Sequence, residues 1–135
     1  MRKMSIRRIA VKTDENCVFC KIASGEIPAK LIYEDEYCVA FPDMEPLMPV
    51  HTLIIPKDHY ADVADDVPEE LLGHLFKVVQ KVVDLQGVHE SGFRLLLNAG
   101  EDASQSVRHL HIHLLGGHKM PRPNDQDWSA EANQD

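Results

Sequence analysis

The chain has 135 residues, 44% of them apolar and 27% charged, with a formal net charge of −8. That is enough for one domain with a real core, and no stretch approaches the roughly 18 apolar residues that span a bilayer. The acidic balance argues against non-specific nucleic-acid binding by long-range attraction. It leaves room for a small anionic ligand, because backbone N–H groups and imidazoles bind phosphate locally.

The chain opens with a basic stretch. Residues 1–12 hold Arg2, Lys3, Arg7, Arg8 and Lys12 and no acid. This reads as a flexible tail, with Met4 an alternative start; an Arg-rich organelle-import segment is the other reading. It has no continuous apolar run of the secretory kind, so a cytoplasmic protein is expected. Cys17 and Cys20 then form a Cys-x-x-Cys pair, with Cys38 alone. Without export, a disulfide framework is not expected, and the pair is a metal half-site, a redox pair or two incidental thiols. Residues 24–28, closed by Pro28, read as a turn or short helix end. Two strand-like runs, 30–33 and 37–41, flank Glu34-Asp35-Glu36 as a hairpin. Pro46 and Pro49 make 43–49 a loop, and 51–56 is a β-branched, apolar strand. The longest helix starts near Pro68-Glu69-Glu70, where proline and acids suit a helix N-terminus. Leu71, Leu72, Leu75, Val78, Val79, Val82 and Val83 form its apolar stripe, and Gly87 is its stop. Residues 93–97 and 107–115 are two further strands. The expected layout is α+β: five antiparallel strands with one long helix across a face. It divides into a 1–14 extension, a 15–120 domain and a 121–135 tail carrying Trp128.

The last strand carries His109-Leu110-His111-Ile112-His113. Alternation along a strand puts the three imidazoles on one face and Leu110, Ile112 and Leu114 on the other. The strand rise spaces neighbouring imidazoles by about 6.6–7 Å. One can act as a nucleophile while its neighbours hold a metal, an anion or a proton. Upstream, Asn98-Ala99-Gly100-Glu101-Asp102-Ala103-Ser104-Gln105-Ser106 is small and polar, so its backbone N–H groups can approach a phosphate.

This signature resembles the histidine-triad (HIT) family of nucleotide hydrolases and transferases. The asparagine, the small residue five later, the glutamine and the His-φ-His-φ-His run all match. Cys17-Val18-Phe19-Cys20, Gly25-Glu26-Ile27-Pro28-Ala29-Lys30, Phe41-Pro42-Asp43 and His51-Thr52-Leu53-Ile54-Ile55-Pro56-Lys57 are similar to blocks of its Hint branch, small homodimeric purine nucleoside phosphoramidases. The resemblance covers about residues 17–120. It implies a HIT-like fold with a short N-terminal helix and one long helix, dimerising into a ten-stranded sheet.

The implied function is hydrolysis of a purine nucleoside 5′-phosphoramidate or acyl-nucleotidate. His111 attacks the α-phosphorus, a covalent nucleotidyl-His111 intermediate forms, and water releases AMP or GMP. A neutral imidazole is a competent nucleophile near pH 7. By the same resemblance His113 donates to a phosphate oxygen, Ser106 meets the leaving atom and Asn98 holds the phosphate, with Gln105 and Val107 beside them. Phe19, Ile22, Ile27, Phe41, Met44 and Leu53 line the nucleoside site, and Asp43 accepts from the ribose hydroxyls. The apolar members equally suit a plain core.

Cys17, Cys20, His51 and His109 are expected to form a Cys₂His₂ structural zinc site. Otherwise the cysteines are reduced core residues and His51 serves a hydrogen-bond relay. No Mg²⁺-binding carboxylate cluster is evident, and covalent histidine chemistry requires none. Alternatives are a dinucleoside polyphosphate hydrolase, a nucleotide-binding adaptor with little catalysis, and a non-catalytic zinc module. His59, His74 and His89 are expected to be surface or helix histidines, and His118 at most a rim contact. Arg108 stands where an aromatic residue is common in the branch, either on the opposite sheet surface or near phosphate, and Ala103 stands where glycine is common.

Overall fold

The computed structural model describes residues 10–123. The basic stretch before residue 10, and the tail with Trp128, lie outside the described residues. Five strands form one antiparallel sheet: β1 (Tyr33–Glu34), β2 (Cys38–Pro42), β3 (Val50–Pro56), β4 (Phe93–Leu96) and β5 (Ile112–Gly116). Their order across the sheet is β1-β2-β3-β5-β4, which puts the triad strand between β3 and β4. Helix α1 (Val18–Ser24) and helix α2 (Glu69–Leu85) complete the elements with a 3-10 turn at Glu101–Ala103. None of the described helices is long and apolar enough to cross a membrane.

The central strands are apolar on both faces, and alternation assigns the two sets. Cys38, Ala40, Ile54, Leu110, Ile112 and Leu114 pack against the buried stripe of α2. Val39, Phe41, Leu53 and Ile55 face the other way, onto Cys17, Phe19, Cys20 and Ala23 at α1. Residues with no solvated face read as continuous apolar runs, as 38–41 and 53–55 do. Six of the seven expected stripe residues of α2, Leu71, Leu75, Val78, Val79, Val82 and Val83, are buried, while Leu72 lies at the edge of the stripe and is half-buried. Each of the buried residues contributes roughly 1.5–3 kcal/mol by leaving water. Pro68 precedes the helix as its cap residue, and Gly87 follows it at φ 68°.

Asp35 fastens the β1–β2 turn to α2. Its Oδ1 accepts from the main-chain N–H groups of Tyr37 and Cys38, and its Oδ2 accepts from Tyr33 Oη (2.7 Å) and His74 Nε2 (2.6 Å). Burial works against the carboxylate, but these four donors hold it below the usual carboxyl range, while burial and Asp35 push Tyr33 up to about 12. His74 is thus a helix histidine with a specific structural partner.

Two glycines end β5 under different constraints. A Cβ on Gly116 would lie 2.9 Å from Val88 Cγ1, and one on Gly117, at φ 89°, 3.0 Å from Pro49 Cβ. Gly116→Ala is therefore expected to lower the unfolding free energy by about 1–3 kcal/mol through overpacking. A denaturant midpoint unchanged from wild type would contradict this packing.

Candidate active site

Regular pairing of the triad strand begins only at Ile112, so His109 and His111 lie just before β5. The alternation nevertheless persists, with Leu110 and Ile112 in the α2 core and the histidines on the α1 side. The rings of His111 and His113 are closer than strand rise alone gives, 4.8 Å between centroids. The cause is local: His111 turns back so that its Nδ1 lies 2.6 Å from the carbonyl oxygen of His109. Phe19 packs edge-on against His111 at 5.2 Å and against Phe41 at 5.5 Å, which fixes the ring planes.

Each triad tautomer follows from an obligatory partner. A carbonyl can only accept, so His111 Nδ1 carries the proton and its Nε2 keeps a lone pair with no hydrogen bond among the described residues. His109 Nε2 donates to the carbonyl of Pro56 at 2.8 Å, leaving Nδ1 as an acceptor. That Nδ1 lies 3.3 Å from Cys17 Sγ and 3.5 Å from Cys20 Sγ. His51 Nδ1 accepts the main-chain N–H of Leu47 at 3.0 Å, so Nε2 holds the His51 proton. His51 Nε2 then donates to His113 Nδ1 at 2.9 Å, with Asp43 Oδ2 a second acceptor at 3.4 Å. The proton of neutral His113 therefore sits on Nε2.

Burial lowers the imidazole pKa of His51, and takes His109 and His113 down to about 4. Mutual repulsion among the histidines adds to this for the latter two. The unfolded chain takes up protons below about pH 6.5, the ordinary imidazole value. It therefore binds more protons than the folded state between pH 6.5 and about 4, and stability rises with pH across that window and levels off above it. Metal-free protein is expected to weaken on acidification from pH 6.5 to 4, His109 alone giving a slope of up to about 1.4 kcal/mol per pH unit. Urea midpoints that stay flat across this window would contradict the neutral, buried assignment.

The nucleoside-site expectation maps onto one cavity of about 800 Å³. Phe19, Ile22, Ile27, Phe41, Asp43, Met44 and Leu53 all line it, and so do Ser106 and Val107. Phe19, Phe41 and Leu53 are also core residues, so the wall is the α1-side core itself. Asn98 is half-buried between β4 and the 3-10 turn. The Gln105 side chain is committed to backbone: Oε1 accepts from Gly100 N at 2.9 Å and Nε2 donates to Ala61 O at 2.7 Å. It fastens the loop that presents Ser106. Left-handed backbone in that loop falls at Gly100 and Ser104, not at Ala103, so alanine there needs no special conformation. Arg108 is exposed, 4.0 Å from Asp62, which accounts for its charge away from the triad face. His118 is exposed and lines a different cavity, at 91–94 and 117–120.

The metal-ligand expectation requires a correction. Cys17, Cys20 and His109 do converge, but the fourth candidate ligand beside them is His59, not His51: the potential ligand atoms of these four lie within 4.8 Å of one another. The antiparallel register gives the reason. Leu53 stands opposite His113 and His51 opposite Leu115, so continuing the ladder brings position 57 opposite His109. His51 is six residues away along β3, roughly 20 Å at the strand rise. His59, just beyond β3, is level with His109, and its Nδ1 lies 3.4 Å from Cys20 Sγ. The register, once drawn, is the signal that finds His59. Its loop is held by the N-terminal segment: Lys12 N donates to Asp58 Oδ1 at 2.8 Å, and His59 N donates to Lys12 O at 2.7 Å. Cys17 caps α1, accepting from Cys20 N at 3.3 Å, and burial raises its thiol pKa.

A cavity lined by Asp43, Ser106 and Val107, with the ordered imidazoles of His109, His111 and His113 on the same α1 side of the sheet, has the layout of a histidine-triad site, and comparison with known proteins agrees in family. The HIT domain model matches residues 24–120. Protein HitA of Neisseria gonorrhoeae is 44% identical over 104 residues, covering 76% of this chain and 96% of its own. A HIT family hydrolase from Clostridium thermocellum superposes with a TM-score of 0.77 at 47% identity, over 82% of this chain and 97% of that one. A histidine triad nucleotide-binding protein from Candida albicans gives 0.71 at 33% identity, over 80% and 83%. The chain belongs to the HIT domain family.

Proposed function

We propose that this protein hydrolyses purine nucleoside 5′-phosphoramidates or acyl-nucleotidates, within the Hint branch of the family. The observation that carries the reading is the tautomer set: a lone pair on His111 Nε2 beside an N–H on His113 Nε2. In this reading His111 Nε2 attacks the α-phosphorus and the bond from phosphorus to the leaving nitrogen breaks. The leaving nitrogen takes a proton from solvent through the Ser106 hydroxyl. His113 Nε2–H and Asn98 hold the phosphoryl oxygens as charge develops. Water then attacks the nucleotidyl-His111 phosphorus, frees AMP or GMP, gives up a proton and restores the imidazole. Asp43 takes the ribose hydroxyls while the apolar wall takes the base. The nucleotide-binding and hydrolase names of similar proteins support this class of substrate.

Zinc at Cys17, Cys20, His59 and His109 is part of the proposal. The donor set fits: Sγ···Nδ1 separations of 3.3–3.5 Å match the edges of a tetrahedron with bonds of about 2.0–2.3 Å. Burial disfavours the Cys17 thiolate, and a divalent cation bound between the sulfurs would stabilise it once the proton has passed to solvent. Bound there, the ion would be structural, tying the start of α1 and the end of β3 to the strand before the nucleophile.

The decisive assay is turnover of an adenosine 5′-phosphoramidate carrying a fluorogenic amine, with the enzyme caught in alkaline denaturant for mass spectrometry. A one-nucleotidyl mass gain on the His111 peptide is expected. Turnover with no such adduct would overturn the covalent route, two nucleotides released from a dinucleoside polyphosphate would favour that alternative, and binding without turnover would favour an adaptor.

We also propose a homodimer. Strand β4 is a sheet edge, and Phe76, Leu85, Phe93, Leu96 and Leu97 are exposed. An open apolar edge calls for cover. Light scattering at micromolar concentration is expected to give twice the chain mass, and a monomer mass would count against it.

A further inference from the structure

We propose that the main-chain N–H of Leu47 is a positioning group for the acid side of this site: acting through His51, it sets which nitrogen of His113 carries the proton. The inference rests on the reading of His113 as a phosphoryl-oxygen donor, and it concerns how that donor is prepared.

A backbone amide nitrogen can only donate. Leu47 N lies 3.0 Å from His51 Nδ1, so that nitrogen is held unprotonated. His51 is buried, and its pKa is lowered, so it is neutral with its one proton on Nε2. His51 Nε2 is 2.9 Å from His113 Nδ1, which must then accept. His113 is left with its N–H at Nε2, a nitrogen with no hydrogen bond among the described residues. Remove the Leu47 donor, and only the longer Asp43 Oδ2 contact at 3.4 Å still opposes a His51 proton on Nδ1, so that tautomer gains population. Its Nε2 becomes an acceptor, His113 Nδ1 takes a proton to meet it, and His113 Nε2 becomes a lone pair facing an anionic substrate. The Leu47 amide, 3.0 Å from His51 Nδ1, thereby shifts the balance of whether His113 attracts or repels a phosphoryl oxygen. Asp43 Oδ2, 3.4 Å from His51 Nε2, favours the same His51 tautomer from the other side.

The position of the amide adds a functional consequence. Leu47 belongs to the Pro-bearing loop between β2 and β3 that also carries Asp43, Met44 and Glu45 in the cavity wall. Asp43 Oδ1 accepts from Glu45 N at 2.8 Å, two residues before the Leu47 amide in the same loop. A nucleoside seated against Asp43 and Met44 steadies the same loop that aims the Leu47 amide.

The test uses full-length protein with ¹⁵N-labelled histidine, and reads tautomers by long-range ¹H–¹⁵N correlation at pH 7.5 with no substrate present. Wild type is expected to show His51 and His113 both as Nε2–H tautomers. Leu47→Ala, which keeps the N–H, should retain both. Leu47→Pro removes the donor and should shift His51 and His113 toward the Nδ1–H form, with kcat at least about 10-fold below that of Leu47→Ala. If Leu47→Pro does not fold, α-hydroxyleucine at position 47, an ester in place of the amide, removes the same N–H with little change of shape. Nδ1–H tautomers in wild type, or donor-less variants with unaltered tautomers, would overturn the proposal. Expected tautomers in a protein that turns over no phosphoramidate would leave this inference standing and sink the substrate assignment instead.

Discussion

Replacing His111 with alanine is expected to lower turnover of a nucleoside phosphoramidate by about 10⁴-fold or more, the scale on which removal of a covalent nucleophile acts. Affinity for the nucleoside monophosphate should change by no more than about threefold, because the cavity wall and Asp43 are untouched. The physical basis is the Nδ1–H···O bond to His109, which commits the His111 lone pair to Nε2 before any substrate arrives. Phe19, packed edge-on at 5.2 Å, keeps the ring from rotating out of that arrangement. Steady-state kinetics and calorimetric titration of AMP measure the two quantities separately. Wild-type turnover in the His111→Ala protein would remove the nucleophile assignment altogether. Equal loss of turnover and binding would assign His111 to ligand contact alone.

The second large effect separates two histidines of the same strand region. His59→Ala and Cys20→Ser are each expected to abolish stoichiometric zinc in purified protein and to lower the thermal midpoint. His51→Ala should keep its zinc while losing turnover, since His51 lies with His113 and Asp43. A metal bound at a concentration 1,000-fold above its Kd stabilises the folded state by about 4 kcal/mol, so chelation of wild type should reproduce the His59→Ala midpoint. Elemental analysis with thermal unfolding is sufficient. Zinc retained in His59→Ala and lost in His51→Ala would reverse the ligand assignment.

These two predictions differ in how much of their basis is visible along the chain. The helix stripe at 71–83, the hairpin and the triad strand are carried by local periodicity, which acts over neighbouring residues and is visible along the chain. The resemblance grouped seven side chains as a nucleoside wall, and all seven line one cavity, although Phe19, Phe41 and Leu53 are also core residues. His59 was not legible in the same way, because Cys-x-x-Cys asks for two further ligands without saying which histidines are near. His51 sits in a matched motif and was the natural choice. It is the pairing of β3 with β5 that takes it away from His109. The roles of Gln105 as a loop fastener and of His74 as the partner of Asp35 have the same origin, since both depend on residues 39–44 positions distant.

The strand and helix pattern and the residue types of the triad are set at short spacing and so are visible along the chain, whereas the second apolar layer at α1 appears only in the fold. Which nitrogen of each imidazole bears the proton, and which histidine lies with the cysteines, is settled by the folded arrangement. Both depend on single donor and acceptor atoms brought within about 3 Å by strand register and by the 43–49 loop, and a hydrogen bond is lost within a few tenths of an ångström beyond that reach.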